Sequence, residues 1–356
     1  MMGDALARLK GIRVLVTGDT GFKGSWLCSW LLEMGAEVSG LALPPEGEPP
    51  LFELLRLRER IDHHDADIRD LDQVRAVFAK VRPELVIHLA AQALVLKSYD
   101  EPKLTFDTNV GGSVNILEAV RETASIRALV YITSDKCYLN KEWVWGYREN
   151  DELGGVDPYS VSKACAEHVF SAYQQCYFAR RDGFAAASTR AGNVIGGGDW
   201  AANRIVPDCI RALRDGRAIV LRNPLATRPW QHVLEPVGGY LLLASHLLER
   251  GHGLDGAYNF GPSADVVRPV QDLAQAAIAV WGSGELVVQP NPNAQHEAGL
   301  LQLVSDKAKG ALGWRPTWTF DECIANTVGW YRQVHDGADP VAVTTRQIAS
   351  FMEKMP

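Results

Sequence analysis

The sequence lacks the features of a membrane protein or a nucleic-acid-binding protein. Its 356 residues contain no apolar run of about 18 residues, so no membrane span is expected. The 36 Lys and Arg residues are outnumbered by 43 Asp and Glu residues, which gives a net charge of −7. Nucleic acids and acidic membranes usually require a basic face. We therefore expect neither partner, while a local basic pocket for an anionic small molecule remains compatible with this balance.

Paired cysteines and clustered histidines are also missing. The six cysteines include no C-x-x-C pair, and the nine histidines show no metal-ligand spacing. The cysteine spacing excludes a disulfide framework and predicts reduced thiols. The histidine spacing predicts no metal site. The first residues, MMGDALARLKGIRVLVTG, contain no long apolar stretch, so a signal peptide is not expected and the protein is predicted to be cytoplasmic.

Strand and helix patterns alternate along the chain as far as Gly192. Apolar runs predict strands at residues 14–17, 37–43, 84–92, 127–134 and 185–190, with a further strand ending near Asp67. Helical spacing predicts helices at residues 25–34, 51–60, 71–80, 108–123 and 159–180. This alternation predicts an α/β fold with a doubly wound, parallel Rossmann sheet.

Beyond Gly192 the pattern loosens, and prolines and tryptophans cluster in NPLATRPWQHV and LGWRPTWTF. We therefore expect a smaller, irregular C-terminal substrate lobe that closes over one end of the sheet. The nucleotide-binding domain is predicted to comprise residues 8–188 plus 234–262, and the substrate lobe residues 189–233 plus 263–356.

A glycine-rich turn separates the first predicted strand from the first predicted helix. Gly18 permits a tight turn, Gly21 lets the backbone approach a pyrophosphate, and Gly24 lets the helix pack on the strand. The free N–H groups of the helix N-terminus then face the anion. The pattern indicates a dinucleotide-binding turn, with Thr20 and Phe22 among its contacts, although a purely structural turn is the alternative reading.

The residues after the second predicted strand favour one nicotinamide cofactor over the other. An acid that holds the adenosine ribose is expected about 20 residues after the glycines, but residues 40–45 read GLALPP. No Arg or Lys stands there for a 2′-phosphate, and Asp19 within the turn would repel one. We therefore predict NAD rather than NADP, with Asp67 and Ile68 flanking the adenine; a solvated strand end is the alternative for this pair.

A tyrosine and a lysine stand four residues apart in DPYSVSKACAEHV. Tyr159 and Lys163 would share one face of a helix, where the lysine can lower the pKa of the phenol. Tyr159 could then take a proton from a substrate hydroxyl while a hydride leaves the same carbon. Ser134 ends a predicted strand, at the sheet edge where ligands bind. The alternative reading is a partly exposed tyrosine beside a surface lysine.

These motifs, in this order, resemble the extended short-chain dehydrogenases/reductases that act on nucleotide sugars. Longer stretches narrow the resemblance to the CDP-glucose 4,6-dehydratases between about residues 9 and 330: TGFKGSWL, TSDKCY, WVWGYREND, GGVDPYS, RAGNVIGGGDWA and RPWQHVLEP. At two positions the chain departs from that group. Leu96 stands in place of an arginine, and Val304 in place of a common aspartate.

The resemblance implies an NAD-dependent redox dehydration of CDP-glucose to CDP-4-dehydro-6-deoxyglucose. The sugar would be oxidised at C4, lose water across C5 and C6, and recover the hydride at C6. The implied catalytic set is Ser134, Asp135, Lys136, Tyr159 and Lys163. Within it, Asp135 would protonate the departing 6-hydroxyl and Lys136 would remove the C5 proton.

Other readings of the same motifs remain open. Another nucleotide-sugar dehydratase or a 4-epimerase is the alternative enzyme, and Asp135 with Lys136 argues against an epimerase. A non-catalytic, NAD-dependent sensor would be expected to lose Tyr159 or Lys163. The product would enter deoxysugar synthesis, for example for O-antigen lipopolysaccharide.

The resemblance also implies binding residues and an assembly. For the cofactor these are Leu89, Ala90, Ala91, Asn109, Tyr159 and Lys163; for the nucleotide sugar they are Gln92, Ser134, Asn193, Arg204, Arg228 and His296. Trp200 and Trp230 could stack on the substrate or pack in the core. Relatives pair through a four-helix bundle, so a homodimer or homotetramer is expected through Val114, Leu117, Val169, Phe170 and Tyr173, unless these residues pack on their own sheet.

Overall fold

The computed structural model describes residues 5–46, 49–201, 204–263, 267–289 and 301–356; for Arg228 and Val267 it describes the backbone alone. Within these residues the strands are β1 (Arg13–Thr17), β2 (Glu37–Ala42), β3 (Asp62–Asp65), β4 (Leu85–His88), β5 (Ala128–Ile132), β6 (Ala185–Ala191), β7 (Val194–Ile195), β8 (Ile219–Leu221), β9 (Thr227–Pro229), β10 (Gln231–His232), β11 (Gly256–Phe260), β12 (Val267–Pro269) and β13 (Leu286–Val288).

The described residues also form fourteen α-helices. They are α1 (Phe22–Glu33), α2 (Leu51–Leu54), α3 (Leu57–Arg60), α4 (Leu71–Val81), α5 (Val95–Asp100), α6 (Pro102–Phe106), α7 (Gly112–Glu122), α8 (Pro158–Cys176), α9 (Ile205–Arg214), α10 (Leu234–Arg250), α11 (Val270–Trp281), α12 (Asp306–Leu312), α13 (Phe320–His335) and α14 (Pro340–Lys354). A π-helical turn, Asp107–Gly111, leads into α7.

Seven strands form one parallel sheet in the order β11-β6-β5-β4-β1-β2-β3. The chain winds outward from β1 to β3 and then returns to place β4 on the other side of β1. In such sheets ligands bind beyond the carboxyl ends of the strands at the point where the winding reverses. The loops after β1 and β4 therefore mark the expected binding edge, which confirms the predicted doubly wound sheet.

Both faces of the sheet are covered by apolar side chains, as a parallel sheet requires. The larger core cluster packs α1, α10 and the C-terminal helices around Trp26, Trp30 and Trp330. The other cluster packs α4, α7 and α8 against the opposite face around Phe78 and Tyr131. The continuous burial of β4 and β5 explains why the sequence shows apolar runs there instead of alternation.

Three local features differ from the sequence-based expectations. The helix predicted over residues 51–60 is interrupted at Arg56, which has a left-handed φ of 52°, so two short helices form. The segment between β4 and α7 contains α5 and α6, which periodicity did not reveal. The helix that carries Tyr159 ends at Cys176, where a 3₁₀ turn, Phe178–Arg180, takes over.

The part of the chain beyond Gly192 contains more helix than its loose pattern predicts. Helices α9 to α14 lie there, together with three two-stranded pairs, β7–β10, β9–β12 and β8–β13. These small pairs are separate from the central sheet. The proposed division into a nucleotide-binding domain and a substrate lobe stays a prediction.

The side chains proposed for subunit contact fall into two groups. Leu117 and Phe170 are buried in the core of their own subunit, which agrees with the alternative reading for these two. Val114, Val169 and Tyr173 are partly exposed on α7 and α8. All six cysteines are free thiols. Within the described ranges, no helix has the length and apolar character needed to traverse a bilayer.

Candidate active site

The glycine turn lies at the switch point of the sheet and is crowded by backbone on two sides. Gly18 has φ +78°, and a Cβ there would lie 2.8 Å from the Ala90 nitrogen on the neighbouring loop. A Cβ on Gly24 would lie 2.1 Å from the Gly18 carbonyl oxygen. No side chain caps the N-terminus of α1, which begins at Phe22, so its N–H groups remain available to an anion. This geometry fits a dinucleotide pyrophosphate.

Asp19, whose charge the sequence analysis used to favour NAD over NADP, is buried beneath this turn. Its side chain is fully buried, and one carboxylate oxygen lies 2.6 Å from Nδ1 of His63 on β3. A Cβ on Gly40 would lie 2.1 Å from the same carboxylate, so glycine at that position of β2 makes room for it. Burial lowers the pKa of His63, but Asp19 and Asp65 outweigh that effect and raise it. Because its charge is buried and paired with His63, Asp19 gives little support to the choice of NAD over NADP.

The predicted adenine-side residues lie at the edge of the sheet beyond β3. Asp67 forms an ion pair with Arg69, whose guanidinium hydrogen bonds hold the pKa of Asp67 below its usual range. The Ile68 carbonyl accepts a hydrogen bond of 2.8 Å from Asn115, and its side chain fills the space beside Gly112. Asp67 lines a surface depression with Arg69, Asp70, Gln73, Asp107, Gly111 and Asn115. Their role toward an adenine stays a prediction.

The loop after β4, Leu89 to Gln92, is tied to the helix that carries Tyr159. Asn109 exchanges hydrogen bonds of 2.8 and 3.0 Å with the Gln92 backbone. The Asn109 amide also donates to Ser162 Oγ at 2.9 Å, and Ser162 donates to the Tyr159 carbonyl at 2.7 Å. The Gln92 amide is itself engaged by Thr105 and by the backbone of Leu94. Asn109 thus links the loop after β4 to helix α8 through hydrogen bonds to Gln92 and Ser162.

Helix α8 positions the Tyr–Lys pair. Asp157 caps its N-terminus through a 2.9 Å bond from the Ser160 N–H, and Pro158 occupies the first turn. Tyr159 and Lys163 follow one turn apart and are 7% and 6% exposed. The Lys163 ammonium lies 5.9 Å from the centroid of the Tyr159 ring. The predicted sharing of one helix face is therefore present.

The pKa of the phenol does not follow the sequence-based expectation. Burial raises the pKa of Tyr159 to about 12; the Ser134 hydrogen bond and the Arg204 charge lower it only in part, and Asp135 raises it. Burial also lowers the pKa of Lys163 to about 8. A lysine that is itself close to losing its charge cannot offset the desolvation of its neighbour. The prediction of a lowered phenol pKa was thus wrong for the protein by itself.

Ser134, Asp135 and Lys136 follow β5 and meet Tyr159. Ser134 Oγ donates to Asp135 Oδ1 at 2.9 Å and accepts from the Lys136 N–H at 3.2 Å. Asp135 is 6% exposed, and a Cβ on Gly192 would lie 3.1 Å from its Oδ2. Lys136 is partly buried, and its ammonium makes no ion pair or hydrogen bond with any other residue that the structure describes. Ser134 and Asp135 lie close enough to the Tyr159 phenol for both to shift its pKa.

A buried polar network that the sequence analysis missed lies beneath this group. Glu167 pairs with Arg190 at 2.8 Å and also accepts hydrogen bonds from Thr133 and Ser188. Arg190 donates in turn to Tyr138 Oη at 2.7 Å. Glu167 stands one turn beyond Lys163 on α8, so its i+4 spacing was the available signal. The network fixes α8 against the ends of β5 and β6.

The residues predicted to bind the nucleotide sugar differ in their exposure and in their partners. Asn193 is exposed just after β6. Arg204 pairs with Asp199 at 2.8 Å, and its charge reaches the Tyr159 phenol. Arg228 lies on β9 with its side chain undescribed, and His296 falls outside the described residues.

The two tryptophans considered for stacking pack in the core. Trp230 belongs to the larger apolar cluster, and Trp200 packs against that cluster and meets Tyr331 edge-on. The geometry thus agrees with the packing alternative for both. Lys23, which no sequence argument singled out, reaches from α1 to α10, where its ammonium lies 3.3 Å from Tyr240 Oη.

The parallel sheet, the glycine turn and the buried Ser–Tyr–Lys group define a Rossmann-fold enzyme of the short-chain dehydrogenase/reductase type. The sequence profile of the GDP-mannose 4,6 dehydratase family matches residues 15–327. The chain belongs to this family.

Known relatives of the chain include dehydratases and epimerases of nucleotide sugars. The CDP-glucose 4,6-dehydratase of Salmonella typhimurium is 45% identical over 347 residues, which are 96% of this chain and 97% of the relative. The UDP-glucose 4-epimerase of Thermus thermophilus, solved in complex with NAD, is 28% identical with a TM-score of 0.74 and covers 90% of this chain and 98% of its own. A dTDP-glucose 4,6-dehydratase of Streptomyces venezuelae, solved with NAD, has a TM-score of 0.75 at 22% identity. The match covers 92% of this chain and 99% of that structure's chain. The resemblance to CDP-glucose 4,6-dehydratases is thereby confirmed.

Proposed function

We propose that the protein is a hydro-lyase that converts CDP-glucose to CDP-4-dehydro-6-deoxyglucose with NAD as a recycled cofactor. The observation that carries this function is the buried Asp135, joined to Ser134 and followed by Lys136, beside the Tyr159–Lys163 pair. An oxidation at C4 needs only Ser134, Tyr159 and Lys163. Asp135 and Lys136 add the acid and base that a loss of water requires.

The residues around the switch point fit NAD. The glycine turn and the uncapped start of α1 suit the pyrophosphate, the Leu89–Ala91 loop and Asn109 lie beside it, and Tyr159 and Lys163 face the same edge. NAD, when bound, accepts a hydride from C4 of the sugar and supplies it again at C6. The protein's own groups carry the proton transfers.

Each proton transfer has a candidate group. Tyr159 takes the proton of the 4-hydroxyl in its phenolate form, which the Ser134 hydrogen bond and the Arg204 charge favour against the effect of burial. Ser134 donates a hydrogen bond to the carbonyl oxygen that develops at C4. The C4 ketone acidifies the C5 proton, which neutral Lys136 removes. Asp135 gives its proton to the 6-hydroxyl, which leaves as water while the C5–H electrons form the C5–C6 double bond. When the hydride reaches C6, the protonated Lys136 returns a proton to C5. Arg204 contributes positive charge near the phenol and is proposed, with Asn193, Arg228 and His296, to hold the nucleotide diphosphate.

A 4-epimerase is the second candidate, because the epimerase of Thermus thermophilus shares the fold at 28% identity. That reaction interconverts two C4 configurations and leaves the 6-hydroxyl in place. It gives no role to a buried carboxyl and a free lysine directly after Ser134. We therefore favour dehydration.

Incubation with CDP-glucose separates the two activities. We expect a 4-keto sugar, detected by its ultraviolet absorbance in alkali, with UDP-glucose and dTDP-glucose as slower substrates. Tyr159→Phe, which removes a single oxygen, is the matched inactive control. CDP-galactose without a keto sugar would support the epimerase, and a preference for another nucleotide would assign a different dehydratase.

The location and the subunit assembly of the enzyme are also part of the proposed function. We propose that it works in the cytoplasm as a homodimer or homotetramer, with the partly exposed faces of α7 and α8 in the subunit contact. Sedimentation of the purified protein tests the assembly. A monomer at micromolar concentration would contradict it.

A further inference from the structure

A 3₁₀ turn, Asp135–Cys137, carries the two residues proposed for the loss of water, and we refer to it as the elimination turn. Thr133, two residues before this turn, donates a hydrogen bond to Glu167 on α8. Tyr138, directly after the turn, accepts a hydrogen bond of 2.7 Å from Arg190 on β6. Each end of the elimination turn is therefore held by a charged side chain from another element.

The two charged side chains that hold the turn form one buried ion pair. Nη2 of Arg190 lies 2.8 Å from Oε2 of Glu167, and Nε of Arg190 donates to Oε1 at 3.0 Å. The two side chains are 4% and 3% exposed. A bidentate pair of this kind fixes the orientation of both groups. Both ends of the elimination turn are therefore tied to a single rigid unit, which closes a ring of contacts around the turn.

Tyr138 is fixed by more than its contact with the ion pair. Its side chain is 1% exposed, and its ring stacks on Tyr147 with the centroids 5.2 Å apart. Its hydroxyl donates to Asn259 Oδ1 at 2.8 Å while it accepts from Arg190. The hydroxyl thus uses its donor and an acceptor site within the protein. This engagement suits a group that holds the backbone in place instead of one that exchanges protons with a substrate.

The side chains of Asp135 and Lys136 receive no comparable support of their own. The Asp135 carboxylate accepts a 2.9 Å hydrogen bond from Ser134, its neighbour in the chain. Among the residues that the structure describes, no side chain from another element forms a hydrogen bond or an ion pair with either of them. Their positions therefore depend on the backbone of the elimination turn and on the groups that hold its two ends.

We propose that Tyr138 is a positioning residue for the elimination, which keeps Asp135 and Lys136 in register with the sugar through its link to the buried ion pair. This inference rests on the proposed function and deepens it. A displacement of about 1 Å in a reacting group can cost a large part of its rate. The acid and the base of the elimination are therefore the groups most sensitive to a loss of this link.

The oxidation at C4 depends on other supports. Tyr159 is carried by α8, whose N-terminus is capped by Asp157. Ser134 directly follows Thr133, whose N–H donates to the Thr189 carbonyl at 2.8 Å. These contacts do not pass through the phenol at the far end of the elimination turn. Loss of that phenol's hydroxyl should therefore slow the elimination more than the oxidation.

The test variant is Tyr138→Phe, which removes the hydroxyl and keeps a ring that can stack on Tyr147. Arg190 retains Glu167 and the Glu149 carbonyl as partners, so its buried charge remains paired and the variant should fold.

Tyr131→Phe is the matched control. Tyr131 on β5 is also 1% exposed, its ring also stacks on an aromatic ring, that of Phe170, and its hydroxyl donates to Ser113 Oγ at 2.6 Å. The control thus removes a buried phenol hydroxyl that does not contact the ion pair.

Three rates are measured with CDP-glucose: appearance of reduced cofactor in a single turnover, exchange of the C5 proton with solvent deuterium, and formation of the 6-deoxy product. The KM for CDP-glucose and the free energy of unfolding in urea are measured beside them. For Tyr138→Phe we expect C5 exchange and product formation to fall about tenfold, while C4 oxidation and KM change by less than about threefold. Reduced cofactor should then accumulate transiently. Tyr131→Phe should lose similar stability and keep the wild-type ratio of the three rates.

Equal losses of C4 oxidation and of product formation in Tyr138→Phe would overturn the proposal, since they would indicate a general structural role. Unchanged rates in that variant would overturn it as well, and so would the same selective loss in Tyr131→Phe. In these cases conversion of CDP-glucose by the wild type would leave the proposed function intact. Failure of the wild type to convert CDP-glucose would instead reject the function and this inference together.

Discussion

At the residue scale, Lys136, the proposed base, has no fixed counter-charge among the residues that the structure describes. It lies directly after the buried Asp135, and no described residue pairs with its ammonium. A lysine acts as a base only when it is neutral, and a paired lysine would resist that change. Its surroundings therefore suit the removal of the C5 proton.

Lys136→Ala should abolish exchange of the C5 proton with solvent deuterium. Product formation should fall at least about a hundredfold, while some C4 oxidation persists because Tyr159 and Ser134 remain. Nuclear magnetic resonance of the sugar in deuterated water measures the exchange. Lys103→Ala, on an 86% exposed side chain, is the matched control and should behave as the wild type. Full turnover by Lys136→Ala would remove this lysine from the chemistry.

The sequence predicted the spacing of the proposed site residues correctly, but it did not predict the burial and the partners of their side chains. Spacing alone indicated that Tyr159 and Lys163 share a face, because helix periodicity is local. The pKa of Tyr159 and the orientation of Asp19 depend on burial by distant segments, such as β3 with His63. That information is tertiary, and no local pattern contains it.

At the element scale, the turn between β1 and α1 has no room for a side chain on Gly24. An added Cβ would lie 2.1 Å from the Gly18 carbonyl oxygen, so Gly24→Ala must displace the turn backbone. We expect NAD affinity to fall about tenfold or more, measured by calorimetry. Gly310→Ala, on α12 with no atom within 4 Å of the added Cβ, is the matched control and should bind NAD normally. Equal affinities of the two variants for NAD would argue against this turn as the NAD-binding site.

Glu235 couples the start of α10 to the segment before α13. It is 2% exposed and accepts hydrogen bonds from the Thr317 and Trp318 N–H groups, the latter at 2.7 Å. Burial raises the pKa of Glu235 from 4.5 to about 7, although those backbone hydrogen bonds oppose the shift. Because the folded state binds the proton more tightly, its contribution is fully present below about pH 4.5 and is lost as the pH rises through 7.

The free energy of unfolding should therefore fall with pH through this group. Between about pH 5 and about pH 8 the expected loss is about 2 kcal/mol. Glu235→Gln should remove that part of the pH dependence, measured by urea unfolding at several pH values. Glu353→Gln, on an exposed side chain of α14, should leave the dependence unchanged. Parallel pH curves for wild type and Glu235→Gln would contradict the assignment.

Local sequence patterns predicted the strands of the sheet but not all of the helices. The strands of the sheet were predictable because buried parallel strands read as short apolar runs between helices. Helices α5 and α6 were not, since their positions are set by packing beside α8. The helices beyond Gly192 were not recognised because prolines and tryptophans suggested irregular structure, although the described residues there form six α-helices.

At the scale of the whole molecule, the switch point of the sheet brings distant segments into one site. The glycine turn, the Ser134–Lys136 segment and Tyr159 lie far apart in the chain and meet at the carboxyl ends of β1, β4 and β5. Their order along the sequence was enough to predict the fold and the reaction class. The contact between Lys23 and Tyr240 on α10 was not predictable, because it joins segments that lie far apart in the sequence.

The central claim is that one sugar loses and regains the same hydride. Conversion of CDP-glucose labelled with deuterium at C4 tests it most directly, with the product examined by nuclear magnetic resonance and mass spectrometry. The account predicts deuterium in the C6 methyl group of a CDP-4-dehydro-6-deoxy sugar. Deuterium retained at C4 of a CDP-hexose with an inverted configuration, or its release in free reduced cofactor, would contradict the account.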